Sequence, residues 1–388
     1  RRLAIVTTHP IQYYAPVFRL LAERKNIEIK VFYTWGQSAL TKHDPGFGKQ
    51  VTWDLPLLDG YPYEFVENVA PQPGSHHFKG IDNPGLNKTV TAWQPDAVLV
   101  YGWAYRSHLK AIRFFKKKVP VYFRGDSTLL DQQHGFKSLL RSIALKWVYS
   151  HIDIAFYPGS NTKAYFQQYG LKPHQLIFAP HAVDNARFAS ERTGEAAQLR
   201  HQLVIGNEEI MVLFAGKFES KKDPLLLVDA FLQLKQAGCH LVMVGNGVLE
   251  TVLKSKAAGA ANIHFMDFQN QSYMPVVYQA CDLFCLPSKG PNETWGLAVN
   301  EAMACGKAIL VSDKVGCAAD LVQPNKNGLI FKAGDADSLL DALKKLTSVK
   351  GQLKQFGKAS ADAIQHWNFC KFAEAVELAI NTAKRTDG

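Results

Sequence analysis

The stretch that decides the fold is Leu286–Lys307, which reads LPSKGPNETWGLAVNEAMACGK. It continues an apolar run that begins at Leu283, and it passes through a loop of Pro, Gly and Asn before a helical pattern starts near Trp295 or Gly296. A short apolar strand that leads through a glycine turn into a helix is typical of a parallel α/β sheet. The stretch therefore predicts one strand–loop–helix unit of such a sheet.

The start of this helix predicts an anion site between two acids. The N–H groups and the dipole of a helix start favour an anion, so a phosphate would sit on the amides of Gly296, Leu297 and Ala298. Glu293 lies in the loop before the helix, and Glu301 lies about one and a half turns into it. Carboxylates accept hydrogen bonds from sugar hydroxyls, so a sugar nucleotide fits both parts. The alternative is an ordinary strand, turn and buried helix with Glu293 as a cap and Glu301 on the surface.

The spacing Glu-x7-Glu around Trp295-Gly296-Leu297, followed by Glu-Ala-Met-Ala-Cys-Gly, resembles the donor-site motif of retaining glycosyltransferases of family 4. The resemblance implies the GT-B fold, which has two doubly wound, Rossmann-like α/β domains facing a cleft. It also implies that Glu301 holds the ribose hydroxyls and that Glu293 holds the donor sugar as a catalytic residue. Trp295 is implied to be a donor-binding residue together with Gly296, Leu297 and Ala298. It covers roughly residues 175–345 and is only topological before them.

A second motif of the family follows the apolar run 210–216. Family members carry Gly-Arg and a later Lys that hold the donor diphosphate, which implies donor-binding roles for Gly216, Lys217 and Lys222. Lysine keeps the positive charge but lacks the two-pronged guanidinium. Two cations can stabilise a departing diphosphate without a metal, so we expect neither a metal nor another cofactor. Taken alone, the motif also fits a solvated basic turn.

Two other turns of the second half have competing interpretations. In the family the nucleotide base stacks near the turn after 262–266, so Phe268 either lines that pocket or is a plain core residue. Asp335 and Asp337 form an Asp-x-Asp pattern that binds metal in another glycosyltransferase fold. Because a helical pattern starts directly after it, we interpret Asp335 as a helix cap.

The first half has the same alternation of strands and helices. Apolar runs predict strands at 3–8, 28–33, 97–101, 119–124 and 152–157. In an open parallel sheet the loops after the strands share one edge, where ligands bind. Polar residues collect in these loops, which predicts a ligand-binding edge.

Four residues of these loops are candidates for the acceptor side of the site. The loop after the first strand has no glycine, so side-chain contacts from His9 or Gln12 to acceptor or donor are expected. Asp126 stands where many family members have a polar residue near the reacting sugar, and the family's His is missing. Asp126 is therefore a candidate catalytic residue, and Arg124 could bind phosphate or pair with it. The alternatives are that His9 only packs the loop and that Asp126 caps the next helix.

The excess of positive over negative charge lies entirely in the first half of the chain. The net charge is +10; residues 1–190 carry 23 Lys and Arg against 13 Asp and Glu, while residues 191–388 carry 21 of each. We expect an anionic partner for the first half, either a membrane surface, a phosphorylated lipid or an acidic glycan, with chance surface drift as the alternative. Nucleic acid is not an expected partner.

Two segments mix aromatic and basic residues in a way that suits an anionic membrane surface, 111–118 and 136–147. The alternative is two ordinary amphipathic helices whose apolar stripes lie in the core. We favour that alternative for 136–147 and leave it open for 111–118.

The length and composition of the chain limit the classes of protein to which it can belong. The 388 residues suffice for two domains, predicted at 1–190 for the acceptor and 191–364 for the donor, with a helix at about 365–388 packing back on the first. No apolar run has the length of a membrane span, and the start has no signal-peptide layout. The six cysteines include no Cys-x-x-Cys and predict buried thiols in a reducing compartment. We expect a cytoplasmic protein, with the inner face of the membrane as a candidate location.

The predicted function is transfer of a sugar from a nucleoside-diphosphate sugar to a glycan, lipid-linked or small-molecule acceptor, with surface polysaccharide synthesis as a candidate role. Two rivals use the same architecture: a sugar-nucleotide epimerase and a nucleotide-sugar-binding protein without catalysis. Fold alone does not separate them. Conversion of the donor without any acceptor would identify an epimerase, and transfer or donor hydrolysis would exclude a mere binder.

Overall fold

The protein forms two compact units. The computed structural model describes residues 1–36, 41–44, 49–52, 54–132 and 135–382. The first unit comprises Arg1–Lys42, Leu55–His181 and Phe369–Gly388, and the second comprises His43–Asp54 and Ala182–Asn368. The division falls at 181/182, nine residues before the predicted boundary at 190.

Fifteen strands are present in the described part of the chain. They are β1 (Arg2–Thr7), β2 (Glu28–Tyr33), β3 (Thr41–Asp44), β4 (Lys49–Thr52), β5 (Tyr63–Phe65), β6 (Ala97–Tyr101), β7 (Val121–Arg124), β8 (Ile154–Tyr157), β9 (Leu176–Phe178), β10 (Ile210–Ala215), β11 (Cys239–Val244), β12 (Ile263–Met266), β13 (Leu283–Leu286), β14 (Ala308–Ser312) and β15 (Gly328–Phe331).

Fifteen α-helices alternate with them among the same residues. They are α1 (Ala15–Arg24), α2 (Leu86–Ala92), α3 (Arg106–Phe115), α4 (Phe136–Tyr149), α5 (Ser160–Gln168), α6 (Asn185–Ala189), α7 (Thr193–Gln202), α8 (Pro224–Leu234), α9 (Glu250–Lys256), α10 (Met274–Ala280), α11 (Leu297–Ala304), α12 (Ala318–Leu321), α13 (Ala336–Thr347), α14 (Lys350–Ile364) and α15 (Phe369–Thr382).

Each unit contains one parallel sheet. The first sheet has the order β5-β2-β1-β6-β7-β8-β9 and the second β12-β11-β10-β13-β14-β15, with parallel pairing between neighbours. Every residue of the central strands β6 and β10 is buried. Helices that cover both faces of a parallel sheet bury its strands in this way. The prediction of two doubly wound, Rossmann-like domains is therefore confirmed.

Strand order fixes where each unit can bind a ligand. The chain reverses direction across the sheet between β1 and β6 in the first unit and between β10 and β13 in the second. Loops that follow two such strands diverge and leave a crevice at the carboxyl edge, where ligands of this fold bind. The predicted donor residues follow β10 and β13, so they lie at the crevice of the second sheet.

The structure differs from the sequence prediction in the stretch after β2 and at the start of the last helix. The stretch between β2 and β6, for which no strand was predicted, contains β3 and β4, which form a two-stranded sheet, and β5, which joins the first sheet. The helix predicted at about 365–388 begins at Phe369 and belongs to the first unit. The last part of that prediction, 383–388, lies outside the described residues.

No helix among the described residues combines the length and the apolar character that crossing a bilayer requires.

Candidate functional site

The turn after β10 carries the two predicted donor lysines. Gly216 and Lys217 follow the strand, a short 3-10 helix spans Ser220–Lys222, and Asp223 adopts a left-handed conformation with φ 51° before α8 begins. Gly216, Lys217 and Lys222 are half-buried and therefore reachable from solvent. The turn places both lysines at the carboxyl edge of the second sheet.

The neighbouring loop after β11 holds this turn in place. A Cβ on Gly245 would lie 2.0 Å from the carbonyl oxygen of Gly216, and one on Gly247 would lie 2.6 Å from that of Phe218. Both positions therefore need glycine, because the two backbones approach too closely for any side chain. Phe218 lies in the same turn and is buried, so its side chain anchors the lysine turn in the core.

Glu293 and Lys222 form an ion pair with each other. Lys222 Nζ donates to Glu293 Oε2, and Ser288 Oγ donates to the same oxygen over 2.9 Å. Only 7% of Glu293 is exposed. Sequence reasoning assigned Lys222 to the diphosphate and Glu293 to the donor sugar, but it did not predict that the two side chains would be partners.

Gly296 shapes the start of α11. Its φ of 95° lies in the left-handed region, and a Cβ there would come within 2.9 Å of Val315 Cγ1 and 3.1 Å of Leu286 Cδ2. The same hypothetical Cβ would lie 3.7 Å from Glu293 Oε1, so the carboxylate reaches the helix start. Gly296, Leu297 and Ala298 are half-buried, whereas the rest of the helix is buried. The helix start is thus the accessible end of an otherwise buried helix.

Glu301 is buried and held by a residue that sequence reasoning missed. It is 3% exposed, and its Oε2 accepts a hydrogen bond from Tyr278 Oη over 2.8 Å. The alternative that places Glu301 on the surface is therefore wrong. Tyr278 lies on α10, and its only sequence signal was its place in an apolar helical run.

Trp295 points into the protein. It is 4% exposed, its Nε1 donates to Asn300 Oδ1 over 2.8 Å, and its ring centroid lies 5.2 Å from that of Trp367. The indole therefore supports the loop from behind. The predicted donor contact at this position stays a prediction and would have to come from the backbone.

Asn246, in the loop after β11, hydrogen-bonds to α9 and to the loop after β12. Its Nδ2 donates to Glu250 Oε2 over 3.0 Å and to Asp267 Oδ1 over 2.9 Å, and its Oδ1 accepts from the amide of Phe268 over 2.9 Å. Phe268 is half-buried rather than fully buried. This placement disagrees with a plain core residue and leaves part of the ring able to line a pocket.

In the first unit, His9 and Gln12 follow β1 at the carboxyl edge of the sheet, and both are half-buried. His9 Nδ1 lies 3.0 Å from Thr8 Oγ1, and the His9 ring packs edge-on against Trp35 at 5.3 Å. The imidazole is thus oriented by two neighbours. Contacts of His9 and Gln12 with a substrate stay predictions.

Arg124 is a structural cation at the end of β7. It is 2% exposed, and it donates to the carbonyl oxygen of Ala179 and, over 3.3 Å, to His181 Nδ1. Its Cζ lies 4.9 Å from the ring centroid of Phe372. The predicted phosphate contact is untested, but the present partners are backbone and rings in the interior.

Asp126 follows Arg124 and lies half-buried at the same edge. Burial raises the pKa of Tyr14, and the nearby Asp126 carboxylate raises it further, whereas Arg124 lowers it. Burial also raises the pKa of Tyr101, again opposed by Arg124. Sequence reasoning missed both tyrosines, which pack against each other near Arg124 and stay protonated at neutral pH.

Residues 195–362 match the sequence model of the family "Glycosyl transferases group 1". The match lies inside the second unit and includes Lys217, Lys222, Glu293 and Glu301. The similarity to this family therefore falls on the second unit, where the predicted donor lysines and acids lie.

Curated relatives share moderate similarity over part of the chain. The chain is 27% identical to a D-inositol 3-phosphate glycosyltransferase of Segniliparus rotundus over 50% of this chain and 44% of that protein. It is also 27% identical to a phosphatidyl-myo-inositol mannosyltransferase of Mycobacterium leprae over 44% of this chain and 46% of that protein. The chain thus spans less than half the length of these relatives.

Solved structures of the same fold cover nearly the whole chain. HepE of Anabaena, solved in complex with UDP and glucose, superposes with a TM-score of 0.71 at 18% identity, covering 98% of this chain and 100% of that one. Sucrose-phosphate synthase of Thermosynechococcus elongatus gives 0.73 at 18% identity, with 98% of each chain covered. These likenesses show the fold, which is that of GT-B glycosyltransferases.

Proposed function

We propose that the protein is a retaining glycosyltransferase that moves a hexosyl group from a nucleoside-diphosphate sugar to an acceptor hydroxyl. The observation that carries this proposal is the ion pair of Lys222 and Glu293 beside the left-handed Gly296 at the start of α11. It combines a cation, an acid and a helix start at the carboxyl edge of the second sheet. The matching family domain and the glycosyltransferase relatives support the same activity.

The donor diphosphate would lie on Lys217, Lys222 and the amides at the start of α11. An ammonium group has three donor hydrogens, so Lys222 can keep Glu293 as a partner and still donate to a phosphate oxygen. Positive charge and helix amides both favour a diphosphate at this position. Anabaena HepE, which shares the fold, was solved with UDP and glucose.

The two acids would hold the hydroxyl groups of the donor. Glu301 is fixed by Tyr278 and would accept hydrogen bonds from the ribose. Glu293 reaches the helix start and would accept from the donor sugar. Buried carboxylates that are already hydrogen-bonded are well oriented for such contacts, since little freedom is left to lose on binding.

The reaction would exchange one bond at the anomeric carbon for another on the same face of the sugar. The bond to the phosphate oxygen breaks, the bond to the acceptor oxygen forms, and the acceptor proton passes to the departing phosphate. Lys217 and Lys222 would stabilise the negative charge that develops on the leaving diphosphate. Because these cations supply the charge, we propose that the reaction needs no divalent metal, and activity should survive a chelator.

The acceptor would bind to the first unit at His9, Gln12 and Asp126. A glycan, a lipid-linked sugar or a small anionic molecule fits the excess of positive charge in residues 1–190. The relatives are named for inositol phosphate and phosphatidylinositol acceptors, which are anionic. We also propose a cytoplasmic site of action, in keeping with six free cysteines, four of which are buried, whereas Cys305 is half-buried and Cys370 is exposed. A role in surface polysaccharide synthesis would need an acceptor of that kind.

Calorimetry with a panel of nucleoside-diphosphate sugars, followed by transfer assays, tests the donor site. Lys222→Ala and Glu293→Gln should each reduce transfer by about 100-fold or more, because each removes a charge that acts on the donor. Lys221→Ala is the matched control, since this neighbouring lysine is half-buried and pairs with Glu219 at 3.4 Å. The control should stay near wild type.

Circular dichroism and thermal unfolding would confirm that the variants are folded. Near-normal transfer by both Lys222→Ala and Glu293→Gln would reject the site. Turnover of a nucleotide sugar with no acceptor present would favour an epimerase, and binding without transfer or hydrolysis across a broad acceptor panel would favour a binding protein.

A further inference from the structure

Helix α4 has an apolar stripe on its outer side. Its inner face buries Leu145, Val148 and Tyr149, as expected for an amphipathic helix in the core. Four large apolar side chains lie on the opposite side and are between 45% and 60% exposed: Leu139, Leu140, Ile143 and Trp147. Single exposed apolar side chains are ordinary, but four on one helix face form a patch that marks an interaction site. Helix α4 is therefore apolar on two faces, of which only one serves the core.

Helix α3 has a basic stripe on its outer side. Arg106, Lys110 and Arg113, with spacings of four and three residues, lie on one face of the helix and are exposed, and the exposed Lys117 follows just after the helix ends. Residues three and four apart are neighbours on a helix surface, so these charges form one row. Asp82 pairs with Arg106 at 2.8 Å and with Lys110 at 3.4 Å, which partly neutralises the start of the row.

The two stripes meet at one contact. Arg113 Cζ lies 5.2 Å from the ring centroid of Trp147. This places the basic end of α3 directly beside the apolar stripe of α4. A row of cations along an apolar helix face is the arrangement by which helices lie in the interface of an anionic membrane, with the apolar side chains among the acyl chains and the cations among the headgroups.

We propose that the outer faces of α3 and α4 form a docking surface for an anionic lipid bilayer. The charge of the chain supports this occupant over a second copy of the chain, because the excess of +10 lies in residues 1–190 and like charges repel. The proposal does not depend on the proposed catalytic activity. It revises the expectation that residues 136–147 direct their apolar side chains only into the core.

Co-sedimentation of the full chain with vesicles tests this surface. The chain should bind vesicles of equal parts phosphatidylglycerol and phosphatidylcholine at low ionic strength and should not bind vesicles of phosphatidylcholine alone. Leu140→Ser/Ile143→Ser and Arg113→Gln/Lys117→Gln should each weaken binding at least about tenfold. All four side chains are exposed, so both variants should fold.

Matched controls lie on the second unit. Val248→Ser/Val252→Ser removes two exposed apolar side chains and Lys332→Gln/Lys344→Gln removes two exposed cations, and neither should change vesicle binding. Nucleotide-sugar binding should be the same in all variants, which separates failure of this surface from failure of the catalytic proposal. Absence of binding by the full chain, or equal binding by variants and controls, would overturn the proposal. Self-association that Leu140→Ser/Ile143→Ser abolishes, without vesicle binding, would instead make the face an interface between copies.

Discussion

Gly296 shows how one residue connects backbone geometry with chemistry. Its left-handed conformation turns the chain from the loop into α11, and the space beside it is filled by Val315, Leu286 and the Glu293 carboxylate. A larger residue would strain the backbone and displace the acid in the same step. Gly296 is therefore the position where folding and donor binding can be tested together.

Gly296→Ala should lower the free energy of unfolding by roughly 2–4 kcal/mol, because it adds a steric clash to the left-handed penalty. Gly334→Ala is the control. Gly334 has φ 72°, but no atom lies within 4 Å of a Cβ built there. The Gly334→Ala variant should therefore lose only about 1 kcal/mol of unfolding free energy. Urea unfolding measures both. Equal losses in the two variants would mean that the contacts at Gly296 relax freely.

Tyr278→Phe should weaken nucleoside-diphosphate binding and cost about 1–2 kcal/mol of stability, because a buried carboxylate loses a donor. The measurement is a double-mutant cycle with Glu301→Gln, read by calorimetry and unfolding. If Tyr278 acts by orienting Glu301, the two substitutions will not be additive. Additive effects would show that the 2.8 Å contact has no role in binding.

For individual residues, the sequence predicts which ones lie in the same site but not the direction in which each side chain points. The spacing of Glu293 and Glu301 around a glycine predicts one site, and the loops place both acids at one sheet edge. Nothing in the spacing indicates that Trp295 turns inward to Asn300, or that Lys222 bonds to Glu293 across 71 residues of sequence. Such directions depend on contacts between distant segments, which periodicity does not encode.

Among the elements, the closing helix α15 is the one most distant in sequence from its partners. Glu377 on α15 accepts two hydrogen bonds from Arg24, over 2.9 and 3.0 Å, and one from Asn26 over 3.1 Å. Tyr122 Oη donates to the carbonyl oxygen of Ala379 over 3.0 Å. Polar contacts as well as apolar ones therefore fix this helix to the first unit.

Glu377→Gln should lower the thermal midpoint of the first unit by several degrees, because Arg24 loses the carboxylate charge and one of the two acceptor oxygens of its two-pronged contact. Glu374→Gln lies on the same helix at an exposed position and is the control. Differential scanning calorimetry would record both. A midpoint unchanged in both variants would show that apolar packing alone holds α15.

Element type was more predictable than element limits. Continuous apolar runs predicted the central strands, because buried parallel strands need no alternation. The short strands β3, β4 and β5 escaped detection because they lie in a stretch rich in Gly, His and Asp without an apolar run. For α4 the sequence analysis raised a membrane-facing surface but favoured a core stripe, since the pattern of apolar residues cannot show which of two apolar faces meets the core.

At the scale of the whole molecule, buried histidines make the first unit sensitive to acid. Burial lowers the pKa of His108 from 6.5 to about 4, although backbone carbonyls of Gly102 and Tyr101 oppose the shift. Burial and the neighbouring Arg124 lower the pKa of His181 well below 6.5. A histidine with a lowered pKa binds its proton more readily in the unfolded chain, so its stabilising effect is present above pH 6.5 and is lost as the pH falls.

The free energy of unfolding of the first unit should fall by roughly 2 kcal/mol between about pH 7 and pH 5 from His108 alone. Denaturant unfolding at the two pH values measures the change. The His181→Asn variant should keep the fall in unfolding free energy that His108 causes between the two pH values. It should no longer show the fall that His181 causes. A first unit equally stable at both pH values would contradict the burial of these rings.

The first unit is assembled from segments that flank the second, since Phe369–Thr382 follows Ala182–Asn368 in the chain. During synthesis on a ribosome, the helix that covers Tyr122 and Arg24 emerges only after the whole second unit has been translated. Until then, the side chains that pack against this helix, such as Tyr122 and Phe156, lack that cover. The order of translation therefore means that the first unit completes its packing only after the second unit has been made.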